Sequence, residues 1–143
     1  MDVVATSQLD HNGLEVMDRQ ACVQRLARGG VGRLGLFAPD GWIHILPVTF
    51  WMEDETVFMH TRPGGMIQRV AEAGVPVAFE VDDTDPGYRG GRSVLVRGRL
   101  HLAHSALPGR HPQPWGARAA DVLVALTPEH ITGRRIPWNS APA

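Results

Sequence analysis

The chain has no lysine; every one of its 14 Lys+Arg positions is an arginine. A pyridoxal-phosphate Schiff base needs a lysine amine, and a Walker-type phosphate loop needs one too. Both chemistries are excluded within this chain. Cysteine is almost absent: Cys22 stands alone among 143 residues. No intrachain disulfide can form, and no cysteine-based zinc site can be built within one chain. Cys22 falls on the apolar side of an expected helix and reads as buried filler rather than a nucleophile. Net charge is also small, formally -1, which argues against a general nucleic-acid binder. No apolar run approaches the roughly 18 residues of a membrane-spanning helix. The first residues, Met1-Asp2-Val3-Val4, lack a basic stretch followed by an apolar one. No signal peptide is therefore expected, and the default location is cytoplasmic.

A hydrophobic content of 43% is enough for a real core, and the length suits one domain. The domain is read as residues 14–136, with flexible tails at 1–13 and 137–143. Asp18 reads as the N-cap of a helix from Arg19 to Arg28. Cys22, Val23, Leu26 and Ala27 take one side, the arginines the other, and Gly29-Gly30 stop it. Strands follow over Val31–Phe37, Trp42–Trp51 and Thr56–Thr61. The last two flank the acidic turn Glu53-Asp54-Glu55 as a hairpin. Met66–Ala73 reads as a short helix ended by Gly74. Val77–Val81 reads as a strand, and the stretch 82–87 as an acidic turn-rich loop whose spacing does not match an EF-hand. Ser93–His104 is a long strand, 105–114 a loop, and Trp115–Ala120 adds a turn of helix. Val122–Leu126 is a buried strand that Thr127-Pro128-Glu129 breaks, before His130–Ile136 closes the sheet. The expected fold is mainly β (α+β): a six- to seven-stranded antiparallel split barrel with two or three short peripheral helices.

Several motifs are decoys. Gly30-Val31-Gly32-Arg33-Leu34-Gly35 matches Gly-x-Gly-x-x-Gly, but a helix precedes it and a strand follows, the reverse of a dinucleotide fingerprint. His101 and His104 lie three apart on a strand and so face opposite ways. His44 and His60 lie on paired strands, without carboxylates in a ligand pattern. Ser93 has no nucleophile elbow around it. Glu80 and Asp82 share one face of their strand; ordinary exposure is the bland account, and a structural charge pairing with Arg97 or Arg99 is the alternative. Trp42, Phe50, Trp51, Phe58 and Phe79 all fall on expected strands and read mostly as core. The most suggestive stretch ends the hairpin: His60-Thr61-Arg62, then Pro63-Gly64-Gly65 and a helix. A guanidinium fork, a hydroxyl and a helix N-terminus suit an anion; an ordinary strand-to-helix connection is the bland alternative.

The order of segments resembles the pyridoxamine-5′-phosphate-oxidase-like family of FMN-binding split barrels, in particular its short actinobacterial-type members. The resemblance rests on Val31–Gly35, on Leu46-Pro47-Val48-Thr49-Phe50, on His60-Thr61-Arg62 with its glycine turn, and on Val77–Asp82. Gly91–Gly98, with Arg92 and Ser93, and Ile131–Ile136 complete it. Together these span about Leu14 to Ile136. The resemblance implies a homodimer with FMN in clefts between subunits and a flavin-dependent oxidation or reduction of a small organic molecule. Pro47, Val48, Thr49 and Phe50 would line the flavin ring by backbone contacts. Thr61 and Arg62, beside His60, would meet the phosphate. Arg92 and Ser93 would approach the flavin from the partner subunit. Two positions depart from the family pattern: Met66 stands where a lysine usually faces the phosphate, and Arg92 where a tryptophan often precedes the serine. Arg62, Arg69 or Arg92 would have to supply the missing charge. A non-catalytic barrel with a weakened FMN site, or one holding haem or a deazaflavin, is the alternative. No catalytic acid or base stands out, and neither a metal, a nucleic acid nor a membrane is expected.

Overall fold

The computed structural model describes residues 8–87, 89–103 and 122–136. Its elements run β1 (Glu15–Met17), α1 (Arg19–Ala27), β2 (Gly30–Phe37), β3 (Ile43–Glu53) and β4 (Thr56–Thr61). Then come α2 (Met66–Ala73), β5 (Pro76–Thr84), β6 (Gly91–Ala103) and β7 (Val122–Ile136). All pairings are antiparallel, in the order β1-β7-β4-β3-β2-β5-β6, and a β6–β7 pairing closes the ring. The result is a closed six-stranded barrel with β1 added on β7, and two helices. The mainly β barrel expected from the sequence is the fold observed. The expected loop 105–114 and helix 115–120 lie outside the described residues, as do His104 and the segments 1–7 and 137–143. Among the described residues no helix is long and apolar enough to cross a membrane.

Alternation builds the barrel wall. In β2, Gly32, Leu34 and Leu36 face in, and Val31, Arg33 and Phe37 face out. The interior is filled by Leu26, Leu34, Phe50, Val57, Met59, Phe79, Leu100 and Leu126, all fully buried. Phe50 and Phe79 meet edge to face with centroids 4.9 Å apart. Gly32 makes room for this contact, since a Cβ there would collide with the Phe79 ring. The Gly-x-Gly-x-x-Gly stretch is thus a strand whose first inward glycine serves packing. The hairpin between β3 and β4 turns on Asp54 and Glu55, both left-handed (φ 48° and 59°), as a two-residue type I′ turn requires.

The structure redraws several boundaries. Trp42 lies outside β3 and is exposed rather than core. Asp82, Asp83 and Thr84 extend β5, because β6 pairs with them through Asp82↔Ser93 and Thr84↔Gly91. The turn begins only at Asp85, whose carboxylate accepts from the Gly87 and Gly90 N–H groups. Thr127-Pro128-Glu129 does not end a strand. β7 runs through it, and Glu129 is the extra residue of a bulge, opposed by the step from Arg97↔His130 to Gly98↔Pro128. Gly98 permits this, since a Cβ there would meet the Thr127 carbonyl. Residues 8–13, read as tail, form a turn: Asp10 accepts from the Asn12 and Leu14 N–H groups and pairs with Arg134 at 2.6 Å. In α1, Arg25 is buried with Cys22 and Leu26, while Ala27 is exposed. The expected segregation of arginines to the outer side therefore fails at Arg25.

Candidate functional site

Strands β3 and β4 pair only from Trp51↔Phe58 to Glu53↔Thr56. Beyond that, β4 continues along β7 to Thr61↔Val122, while β3 stays on β2 as far as Ile43↔Phe37. The wall is split between them. Every second residue of the freed β3 segment turns its main-chain N–H and C=O away from β2, toward the split. A hollow of about 260 Å³ opens there. β3 lines it with Leu46, Pro47, Val48 and Thr49; β4 and its exit with His60, Thr61 and Arg62; the start of α2 with Gly65, Met66 and Ile67.

Thr61 and Met66 are half-buried, and Arg62 is exposed. Arg62 makes no ion pair among the described residues. Gly65 is the N-cap of α2, and no side chain caps this end, so its first N–H groups face the hollow's margin. The nearby Gly64 N–H is already used, donating to Gln68 Oε1 at 2.7 Å. His60 stands against Trp51, ring centroids 5.2 Å apart, and Trp51 stacks on Phe58 at 5.7 Å. The aromatic row fixes the floor of β4 beside the hollow. The site can hold a small anion at its Thr61–Arg62 end and a flat apolar group along β3.

Eight of the ten sequence-predicted residues thus lie in one region: Pro47, Val48, Thr49, His60, Thr61, Arg62 and Met66 line the hollow, and Phe50 adjoins it. The Phe50 side chain is fully buried in the core, leaving only its backbone for contact with a ligand. Arg92 and Ser93 are elsewhere in the same chain, lining a second cavity of about 310 Å³ between β5, β6 and β7. Here Asp83 ties two arginines together. Arg25 grips it with Nε at 2.6 Å and Nη2 at 3.0 Å, and Arg92 Nε donates to it at 3.1 Å. Hydrogen bonds from Arg25 first, then from Arg92, hold the Asp83 carboxyl below its ordinary range, against the opposing effect of burial. Sequence reasoning missed this cluster, although Cys22, Arg25 and Leu26 share an i, i+3, i+4 stripe that marks Arg25 as inward.

Glu80 and Asp82 do share the outer face, but their partner is Arg33 rather than Arg97 or Arg99. Arg33 Nη1 lies 3.1 Å from Asp82 and 3.6 Å from Glu80. The reason is topological: β2 pairs with β5 through Arg33↔Glu80. Arg99 instead donates to the Gly74 carbonyl. Burial, then the neighbouring Asp82, push the Glu80 carboxyl up to about 7, and Arg33 opposes them. His44 bonds Asp40 at 2.9 Å, far along β3 from His60. The outer face of β2 and β3 carries exposed Phe37, Ile43 and Ile45, with Trp42 beside them; Ile43 and Ile45 are 75% and 70% exposed. These side chains form one contiguous exposed apolar patch, since Phe37 and Ile43 are opposed across β2 and β3.

Comparison with known proteins agrees with the barrel fold. Residues 18–135 match the family model for pyridoxamine 5′-phosphate oxidase. An uncharacterised protein of Mycobacterium tuberculosis is 34% identical over 132 residues, covering 87% of this chain and 86% of that one. The solved structure of an FAD-binding protein from Mycobacterium smegmatis is 27% identical, with a TM-score of 0.64, covering 87% of this chain and 99% of that one. An FAD- and haem-binding protein from the same organism shares the fold at 18% identity and a TM-score of 0.65, covering 87% and 75%. The chain belongs to the pyridoxamine 5′-phosphate oxidase family.

Proposed function

We propose that this chain binds a flavin, FMN in the first instance, in the hollow of the split, and uses it to oxidise or reduce a small organic molecule. The observation that carries the reading is the convergence of three donor types on one hollow. These are the β3 segment 46–48 that β4 does not pair with, the Thr61–Arg62 pair, and the uncapped start of α2. A phosphate at the Thr61–Arg62 end would meet a hydroxyl, a guanidinium with no ion pair among the described residues, and helix N–H groups. A flat ring along Pro47–Thr49 would meet main-chain groups in place of side chains. The flavin would supply the electron chemistry, and the protein its binding and orientation. The FAD-binding relative from Mycobacterium smegmatis supports a flavin as the ligand class.

A second copy completes the proposal. The exposed Phe37, Ile43 and Ile45 continue along β3 to Pro47 at the edge of the hollow. A homodimer built on that face would cover the patch and roof the hollow. Ser93, on the outer face with Asp82, would then approach the flavin from the partner copy. Light scattering of the wild type and of Ile45→Asp tests this; a monomeric wild type rejects it.

The cofactor is tested by titrating the purified protein with FMN and FAD while following flavin absorbance and tryptophan fluorescence. Saturable binding that Thr61→Ala/Arg62→Ala abolishes supports the site. Binding unchanged in that double variant refutes it. Met66 in place of a lysine favours a second reading, a barrel whose flavin site is weak and which takes a deazaflavin or haem. Absent flavin binding together with saturable binding of either alternative would select it.

A further inference from the structure

The outer face that a second copy would cover ends in a charged cluster. Pro47 closes the apolar patch on β3, and the register carries the face on from there. Pro47 opposes Arg33 on β2, and Arg33 opposes Glu80 on β5. Asp82 follows Glu80 on the same face of β5. Arg33 Nη1 lies 3.1 Å from Asp82 and 3.6 Å from Glu80, and its hydrogen bond goes to Asp82. Two carboxylates thus share one guanidinium, and Glu80 has the weaker hold on it.

Glu80 also has an oxygen with nothing to bond. Its Oε1 is buried and without a hydrogen-bond partner among the described residues. An ionised carboxylate only accepts, whereas a protonated one can donate, and Asp82 beside it is an acceptor. No other neighbour supplies the missing positive charge. Across β6, Glu80 opposes Leu95, with Ser93 and Arg97 on either side opposite Asp82 and Ala78. Arg97 makes no ion pair among the described residues. Arg134, beyond Ser93 on β7, is held by Asp10. In the single chain 40% of the Asp82 side chain and 55% of Arg33 are exposed, so water screens the excess negative charge. A second copy laid over this face removes that water. An unpartnered carboxylate is then strongly disfavoured in its charged form, and a proton neutralises it.

We infer that association of two copies over this face takes up a proton at each Glu80–Asp82 pair, so that the dimer is favoured in mild acid and loosens at alkaline pH. The inference rests on the homodimer reading and adds how that assembly is regulated. A carboxyl that holds its proton more tightly in the dimer than in the free chain favours the dimer at low pH. Burial, then Asp82, already raise Glu80 to about 7 in the single chain. The gain is therefore complete below that value and is lost as the pH rises beyond it.

Sedimentation velocity of the full chain between about pH 6 and about pH 8.5 tests this, and the wild-type dimer Kd should rise at least about tenfold across that range. Glu80→Gln carries the neutral form at every pH. It should dimerise at both ends of the range as tightly as the wild type does at the acid end. Asp82→Asn leaves Arg33 to Glu80 alone and should flatten the dependence too. Dilution calorimetry in two buffers of different ionisation enthalpy, at about pH 7.5, should show proton release on dissociation of the wild type and none for Glu80→Gln. A dimer of pH-independent affinity, or a dependence that survives in Glu80→Gln, overturns the inference and leaves the dimer standing. So does a dimer that tightens as the pH rises, since a cation of the second copy would then meet Glu80. A wild type that is monomeric throughout the range overturns the dimer reading, and this inference with it.

Discussion

Glu80→Gln should stabilise the protein at alkaline pH and change little in acid. Glu80 lies on the outer face of β5 with its Oε1 buried and without a hydrogen-bond partner among the described residues, beside Asp82, with Arg33 3.6 Å from the other oxygen. Its carboxyl is pushed from an ordinary 4.5 to about 7. The folded state therefore holds a proton, between those values, that the unfolded chain has released. Stability drawn from that proton is complete below about pH 4.5 and is lost as the pH rises through about 7. A displacement of this size corresponds to about 3 kcal/mol at about 1.4 kcal/mol per unit. With 28% of the side chain exposed, solvent screening reduces the expected effect to about 1–2 kcal/mol. Glutamine mimics the protonated form at every pH. Urea unfolding at fixed protein concentration should show Glu80→Gln near wild type at pH 4.5 and more stable by about 1–2 kcal/mol at pH 8.5. A variant less stable than wild type at pH 8.5 would show that attraction to Arg33 outweighs burial and Asp82. The reasoning would then be refuted.

Gly32→Ala should cost about 1–3 kcal/mol, read by thermal unfolding, because its Cβ meets the Phe79 ring, which is fully buried and has nowhere to turn. Asp18→Ala should cost about 1 kcal/mol, since Asp18 Oδ1 accepts from the Ala21 N–H at 2.8 Å as the N-cap of α1; an unchanged midpoint would show the cap contributes nothing. Met66→Lys should tighten FMN about tens- to a hundredfold, the equivalent of one charge-assisted hydrogen bond of about 2–3 kcal/mol. Unchanged FMN affinity would mean that the phosphate does not reach the start of α2.

Local signals were readable where a residue's neighbours in sequence are also its neighbours in space. The Asp18 cap, the left-handed Gly74 that ends α2, and the β3–β4 hairpin are of this kind. The hollow was readable for the same reason: β3, β4 and α2 follow one another along the chain. What failed depends on long-range pairing. β5 reads as ending at Val81 because Asp82, Asp83 and Thr84 have turn chemistry, but the β6 ladder holds them extended. Pro128 reads as a breaker, but a bulge opposite Gly98 absorbs it. The partnership of Arg33 with Glu80 requires knowing that β2 and β5 are adjacent. The Arg25–Asp83–Arg92 cluster joins α1, β5 and β6, and no local pattern specifies it beyond the inward stripe on α1.

Pro47 ties the fold to its candidate site. A proline removes a ladder donor and is tolerated in a sheet only where a strand has a free edge, at a bulge, or at a strand's start. In the strand order β3 is central, flanked by β2 and β4. Yet its pairing with β4 is confined to Trp51–Glu53, so at residue 47 its one strand neighbour among the described residues is β2. A proline within an otherwise strong strand is thus the sequence's mark of the split. The same split withholds main-chain hydrogen bonds from the barrel and leaves those groups facing the hollow. There Thr61, Arg62 and the start of α2 also arrive. Closing the wall with a full β3–β4 ladder would satisfy the backbone and remove the site. The barrel forgoes part of one ladder, and a ligand that pairs with the β3 edge would restore it.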